Sequence, residues 1–198
     1  MTNLVQPSLR TAQREVVRSR ILAAARAAFI ETGIAETSID DIATRAGLAR
    51  ATLYRHFTGR EGLLLGMLDE DWDRQVKLYA RVPPAAVLDA QTARAWLRRL
   101  LHATQARRDS LRLYATMIGR GADMIGRLAR QRQRLVDALG EQLSVFADQD
   151  PRLRIEAMLT VMEIEQYCVY AGGEVTPAET EIATDIVADH FLAFCGKK

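Results

Sequence analysis

The chain has 198 residues, of which 48% are hydrophobic and 26% charged, and its net charge is +2. That length can bury a core in one large or two small domains, and no apolar run reaches the roughly 18 residues of a membrane span. Cys168 and Cys195 are far apart, which argues against a disulfide framework or a metal knuckle, and the first twenty residues lack the apolar block of a secretory signal, so a cytoplasmic protein is expected.

Residues 1–10 show no periodicity, contain Pro7, and read as a mobile tail. Arg10 and Arg14 are within reach of a minor groove if this tail acts as a basic arm; an untethered terminus is the plainer reading. From 11 to 32 the pattern is helical, with Val17, Ile21, Ala24, Ala25, Ala28 and Phe29 on one face and Gly33 placed to end it. Residues 38–57 then read as two short helices around a tight turn. Ser38 is placed to cap the first, Asp40 and Asp41 suit its positive end, and Gly47 marks the reversal. In the second, Leu53 and Phe57 face inward, leaving Arg50, Thr52, Tyr54, Arg55 and His56 outward. Arginine, hydroxyl and aromatic groups on one exposed face suit a phosphate backbone and base edges. This is a helix-turn-helix pattern; an ordinary helical hairpin with a solvated basic face is the alternative. Residues 1–60 hold nine arginines against five carboxylates, a net +4, while the remaining 138 carry −2. Such a split is expected if only the first part meets a polyanion.

A long helix follows from about 60 to 81, its inner stripe mixing Leu64, Met67, Leu68, Trp72, Val76 and Tyr79 with Asp71 and Gln75. Pro83 and Pro84 stop it. Further helices are expected over 89–105, 110–118, 122–147, 151–171 and 177–194, making nine in all and an all-α fold. The 122–147 helix has a basic outer face of Arg127, Arg130, Arg132 and Arg134, either a second DNA contact or a solvated surface.

Enzyme motifs are missing: there is no GxxxxGK[ST], HExxH, GxSxG or CxxC. His56, His102 and His190 fall on separate helices, so neither a metal site nor a cofactor is expected. The 151–171 helix is apolar over more than half its circumference, as for a helix buried on two sides, one of which suits a second chain. Glu165 falls within that arc and needs a partner: an arginine, the edge of an interface, or a ligand. Trp96, Tyr114, Met117, Met124, Met158 and Met162 are candidates to line an apolar cavity, or to serve as ordinary core.

The stretch from Ala23 to Leu65 resembles the DNA-binding domain of the TetR family of transcriptional repressors. The likeness rests on Phe29 with Gly33, Thr37-Ser38, Ile42-Ala43, Ala46-Gly47-Leu48, Thr52-Leu53-Tyr54, His56-Phe57 and Arg60-Glu61 with Leu63. It lies within the first third of the chain. It implies a helix-turn-helix domain over 11–60 and a ligand-binding and dimerisation domain over 61–198, divided within the long helix. By the same resemblance Thr37 or Ser38, Tyr54, His56 and Arg60 contact phosphates, and Arg50, Ala51, Thr52 and Arg55 face the major groove. The implied partners are a double-stranded DNA operator, a small-molecule effector held near Glu165 and the apolar candidates, and a second copy joined through the last two helices. The expected function is a ligand-released repressor. The competing expectation is a small-molecule-binding or assembly protein in which the helix-turn-helix is only a packing unit.

Overall fold

The computed structural model describes residues 9–110, 113 and 122–197, and among them there is no strand. In chain order the helices are α1 (Leu9–Thr32), α2 (Ile39–Arg45), α3 (Arg50–His56), α4 (Gly59–Tyr79), α5 (Ala90–Gln105), α6 (described at residues 108–110 and 113), α7 (Ala122–Gly140), α8 (Pro151–Ala171) and α9 (Pro177–Cys195). Short 3-10 turns occupy Ala85–Val87 and Ser144–Ala147. No described helix is long and apolar enough to cross a membrane. The chain forms two compact units, and the division falls inside α4, between Glu70 and Asp71.

The first unit packs α1, α2, α3 and the opening turns of α4. Its core holds Ile21, Leu22, Ala25 and Phe29 of α1, Ile42 and Ala43 of α2, Leu53 of α3, and Leu63 and Met67 of α4, all buried. The alanines keep the helix axes close. Gly66 does the same for α4, since a Cβ there would stand 2.6 Å from Phe57 Cε1 and 3.1 Å from Leu22 Cδ2.

The second unit is built on α5, α7, α8 and α9 with the last turns of α4. Its centre is aromatic: Trp96 meets Tyr79 edge-on at 5.7 Å and Phe191 at 5.2 Å, and Phe146 meets Phe194 at 4.9 Å. Each such pair adds about 0.5–1.5 kcal/mol beyond the area it buries. The helix starts follow the capping residues. Asp89 accepts from Thr92 N at 2.8 Å, Asp150 from Arg152 N at 2.9 Å ahead of Pro151, and Thr176 from Glu179 N at 3.2 Å ahead of Pro177.

Two boundaries differ from expectation. The helix α1 begins at Leu9, so Leu9, Arg10 and Arg14 belong to a helix and not to a tail or a flexible arm. The helix α7 ends at Gly140 instead of continuing to 147. Beyond it Leu143, Val145 and Phe146 are still buried, but through the 3-10 turn, so helical spacing alone could not separate the two conformations. The expected 110–118 helix falls mostly outside the described residues.

Candidate nucleic-acid interface

The α2–turn–α3 segment is held by local caps and by two arginines reaching in from outside it. Ser38 Oγ accepts from Asp41 N at 3.0 Å, and Asp41 Oδ2 accepts from Ser38 Oγ at 2.6 Å and Ser38 N at 3.3 Å. This reciprocal cap satisfies the opening turn of α2. The Ser38 hydroxyl and amide also hold the Asp41 carboxyl below its ordinary value. Gly47 takes φ +60°, a left-handed conformation that glycine adopts without cost, and there the chain reverses. Arg20 of α1 closes the turn from outside, its Nε donating to Ala46 O at 2.6 Å and its Nη2 to Gly47 O at 2.8 Å. Arg60 of α4 donates from Nε to Thr37 O at 2.8 Å.

On α3, Leu53 and Phe57 are buried while Arg50, Ala51, Tyr54 and Arg55 are exposed and Thr52 and His56 half-buried. The helix carries no carboxylate. Arg55 Nη2 donates to Thr52 Oγ1 at 3.1 Å. Arg50 Nη1 donates to Asp40 Oδ2 at 2.9 Å and Nη2 to Tyr54 OH at 3.4 Å, with the guanidinium 5.4 Å from the Tyr54 ring centre. Arg18 of α1 stacks over Phe57 at 4.8 Å. His56 is pushed below the usual histidine range, chiefly by burial and then by Arg14, Arg55 and Arg18, with Glu15 opposing. It is therefore neutral at pH 7 and becomes charged more readily once an anion faces it.

One expected contact does not survive. Thr37 is only 2% exposed, and its hydroxyl lies 2.6 Å from Gly33 O and 2.8 Å from Thr32 Oγ1. Its side chain faces the α1–α2 junction, so of the Thr37–Ser38 pair only Ser38 reaches solvent. The other candidates, Ser38, Arg50, Ala51, Thr52, Tyr54, Arg55, His56 and Arg60, lie on these three consecutive elements.

The effector candidates are more dispersed. Trp96 is 1% exposed, its ring clasped by Tyr79 and Phe191 and its Nε1 donating to Leu78 O at 3.3 Å. It is part of the aromatic core of the second unit. Met124 is buried, Met158 and Met162 are half-buried, and Tyr114 and Met117 lie outside the described residues. Glu165 accepts from Arg132 Nε at 2.7 Å, so its carboxylate has an arginine partner within the unit. A groove of about 770 Å³ opens between α7, the second 3-10 turn and α8, lined by Val136, Phe146, Arg154, Ile155 and Met158 among others. Of the described effector candidates it includes only Met158. Burial raises the Cys168 and Cys195 thiols to about 12, which leaves both protonated and unreactive.

The description "Bacterial regulatory proteins, tetR family" belongs to the family model that matches residues 21–67, a span covering α2, α3 and the packed halves of α1 and α4. Residues 21–67 therefore carry the segment that defines the tetR family. The HTH-type transcriptional regulator TtgR of Pseudomonas putida is 37% identical over 57 residues, 29% of this chain and 27% of that protein. An HTH-type transcriptional repressor of Mycobacterium tuberculosis is 36% identical over 76 residues, 38% of this chain and 40% of that protein. The likeness thus spans well under half the length of either relative. Among solved structures, a protein of Streptomyces coelicolor superposes with TM-score 0.67 at 25% identity, over 88% of this chain and 97% of that one. A tetR-family transcriptional regulator of Streptomyces coelicolor gives 0.66 at 21%, over 91% and 80%. The tetR fold therefore extends well beyond the segment that the family model matches.

Arg20 was not identified from the sequence. Its neighbours on α1 give no sign that it reaches carbonyls 26 and 27 residues away, and only the packing of α1 on the turn reveals it.

Proposed function

We propose that this tetR-family protein is a ligand-responsive transcriptional regulator, most simply a cytoplasmic repressor that leaves a palindromic operator when a small molecule binds. The observation that carries the reading is the α3 face: Arg50, Tyr54 and Arg55 exposed on a helix without carboxylates, over a buried Leu53–Phe57 base. Ser38, Tyr54, His56 and Arg60 then serve as phosphate contacts, and Arg50, Ala51, Thr52 and Arg55 meet base edges.

The dimer is assigned to α8 and α9. Ile155, Leu159, Val169 and Tyr170 of α8 and Ile182 and Ile186 of α9 are exposed apolar side chains, with Ile155 at 63% and Ile182 at 59%. Apolar residues gathered on two packed helices in this way mark an association surface. Two copies place α3 in successive major grooves, about 34–36 Å apart. The effector is assigned to the second unit, near Met124, Met158 and Met162, where adaptable thioethers suit an irregular ligand. Because α4 contributes turns to both units, a shift of its last turns is felt by its first. A coupling of about 1–3 kcal/mol changes operator affinity roughly 5- to 150-fold.

The relatives' names support regulation in either direction: the Mycobacterium tuberculosis relative is a repressor, and FasR of Mycolicibacterium smegmatis, 35% identical over 63 residues, is an activator. A map of genomic fragments bound by the purified protein tests the proposal. Fragments sharing a two-fold motif with half-sites one helical turn apart, upstream of genes, support it. Fragments with no shared motif contradict it.

A further inference from the structure

Arg50 is held by both helices of the reading motif. It opens α3, yet its Nη1 is bonded to Asp40 in the first turn of α2, and its Nη2 points to Tyr54 one turn along α3. The Tyr54 ring lies under the guanidinium at 5.4 Å. Three points of attachment fix a side chain that would otherwise sample many rotamers.

Both partners of the Asp40–Arg50 pair are 60% exposed, so the pair adds little to folding. Its consequence is direction. A guanidinium has five N–H groups in a rigid fork. With one N–H of each Nη engaged, Nε–H and one N–H on each Nη are left in the guanidinium plane, and guanine O6 and N7 accept a pair of such coplanar donors. An unheld arginine in this position would settle on the nearest phosphate of any sequence. The Asp40 carboxylate also cancels one positive charge beside the backbone and repels phosphate, which lowers affinity for DNA in general.

We infer that Asp40 is a positioning residue for sequence recognition: by holding Arg50 across the two helices, it converts a general phosphate-seeking charge into a base-reading one. The inference rests on the DNA-binding reading above. It assigns to Asp40 a role beyond the helix N-terminus that its position first suggests.

The test compares wild type, Asp40→Asn, Asp40→Glu, Arg50→Ala and the Asp40→Asn/Arg50→Ala double variant, each selecting from a pool of randomised duplexes. For Asp40→Asn, preference at one base position per half-site falls roughly five- to hundredfold. Its affinity for mixed-sequence DNA holds or rises, with a salt slope steeper by about one. Asp40→Glu restores most of the lost preference, because it keeps the charge and the acceptor. In the Arg50→Ala background the Asn substitution leaves base preference unchanged and alters only the general affinity. An unchanged profile in Asp40→Asn, no restoration by Glu, or a loss that persists without Arg50 overturns the assignment. Should Asp40→Asn lose its melting transition, Asp40→Ser, which also suits a helix start, carries the same expectation. Wild-type protein with no salt-dependent duplex binding removes the DNA-binding reading itself, a failure distinct from a selective wild type whose Asn variant is equally selective.

Discussion

The two units treat their arginines differently. In the second unit, basic side chains pair with carboxylates of other helices: Arg132 with Glu165 at 2.7 Å, Arg134 with Asp73 at 2.6 Å, Arg94 with Asp185 at 2.5 Å, and Arg98 with Glu181. The basic stripe of α7, which in sequence competes with α3 as a DNA contact, is partly consumed in this way. The first unit has two such pairs, Arg45 with Glu31 at 2.7 Å and Arg50 with Asp40 at 2.9 Å, but its other placed arginines fix backbone or sit on rings. Arg20 holds the Gly47 turn, Arg60 holds Thr37 O, Arg18 covers Phe57, and α3 keeps Arg55 on a helix with no acid. A run of basic residues is therefore a poor guide to a polyanion site until the partners are known.

The contrast can be broken from either side, and the largest effects come first. Ile186→Glu places a charge on the proposed association surface of α8 and α9. Sedimentation should show monomers where the wild type gives dimers, and palindrome binding should fall by more than an order of magnitude. An unaltered dimer would place the interface elsewhere. Leu53→Ala empties the base of α3, where the side chain is fully buried, and should cost about 2–5 kcal/mol of first-unit stability in denaturant unfolding. A cost near zero would mean that α3 is not anchored as described.

Arg20→Ala removes two charged hydrogen bonds to the turn and should cost about 1–3 kcal/mol, lowering DNA affinity without changing base preference. Removing Arg94, paired on the surface of the second unit, should cost under about 1 kcal/mol. Equal costs would erase the distinction between the two uses of arginine.

The smallest effect concerns His56, whose affinity for protons is lowered in the folded protein. Unfolded chains then bind more protons than folded ones just below the ordinary histidine value near 6.5, so stability declines as pH falls through that value toward the lowered one. DNA phosphate favours the charged ring, so operator affinity moves the other way and rises as pH falls through the same range. His56→Gln should flatten both trends in melting and binding titrations from pH 7.5 to 5.5; trends that persist belong to another group.

Much of this was legible because short-range chemistry decided it. Ser38 with Asp41, Asp89 with Thr92, Thr176 with Glu179, and Gly47 at the reversal each act within a few residues, so helix starts and the turn could be read directly. Leu53 and Phe57 followed from helical spacing. What stayed hidden depended on distance in sequence. Thr37 looked like a surface hydroxyl until α1 packed against it, and the partner of Glu165 lies 33 residues away on another helix. Trp96 illustrates the remaining difficulty: an aromatic on an inner face has the same pattern whether it fills a core or lines a cavity. The effector site was therefore the least readable feature, and α7 beyond Gly140 the least readable boundary.

The central claim is that the α3 face contacts DNA phosphate, and a salt titration tests it most directly. Duplex binding by wild type and Tyr54→Phe should be followed by fluorescence anisotropy between 50 and about 200 mM salt, where each phosphate contact contributes a slope of about −0.9 in log affinity against log salt. The account predicts a steep fall for the wild type, with Tyr54→Phe weaker on every sequence. Salt-independent binding, or no binding to any duplex, would contradict it and leave the helix-turn-helix as a packing unit.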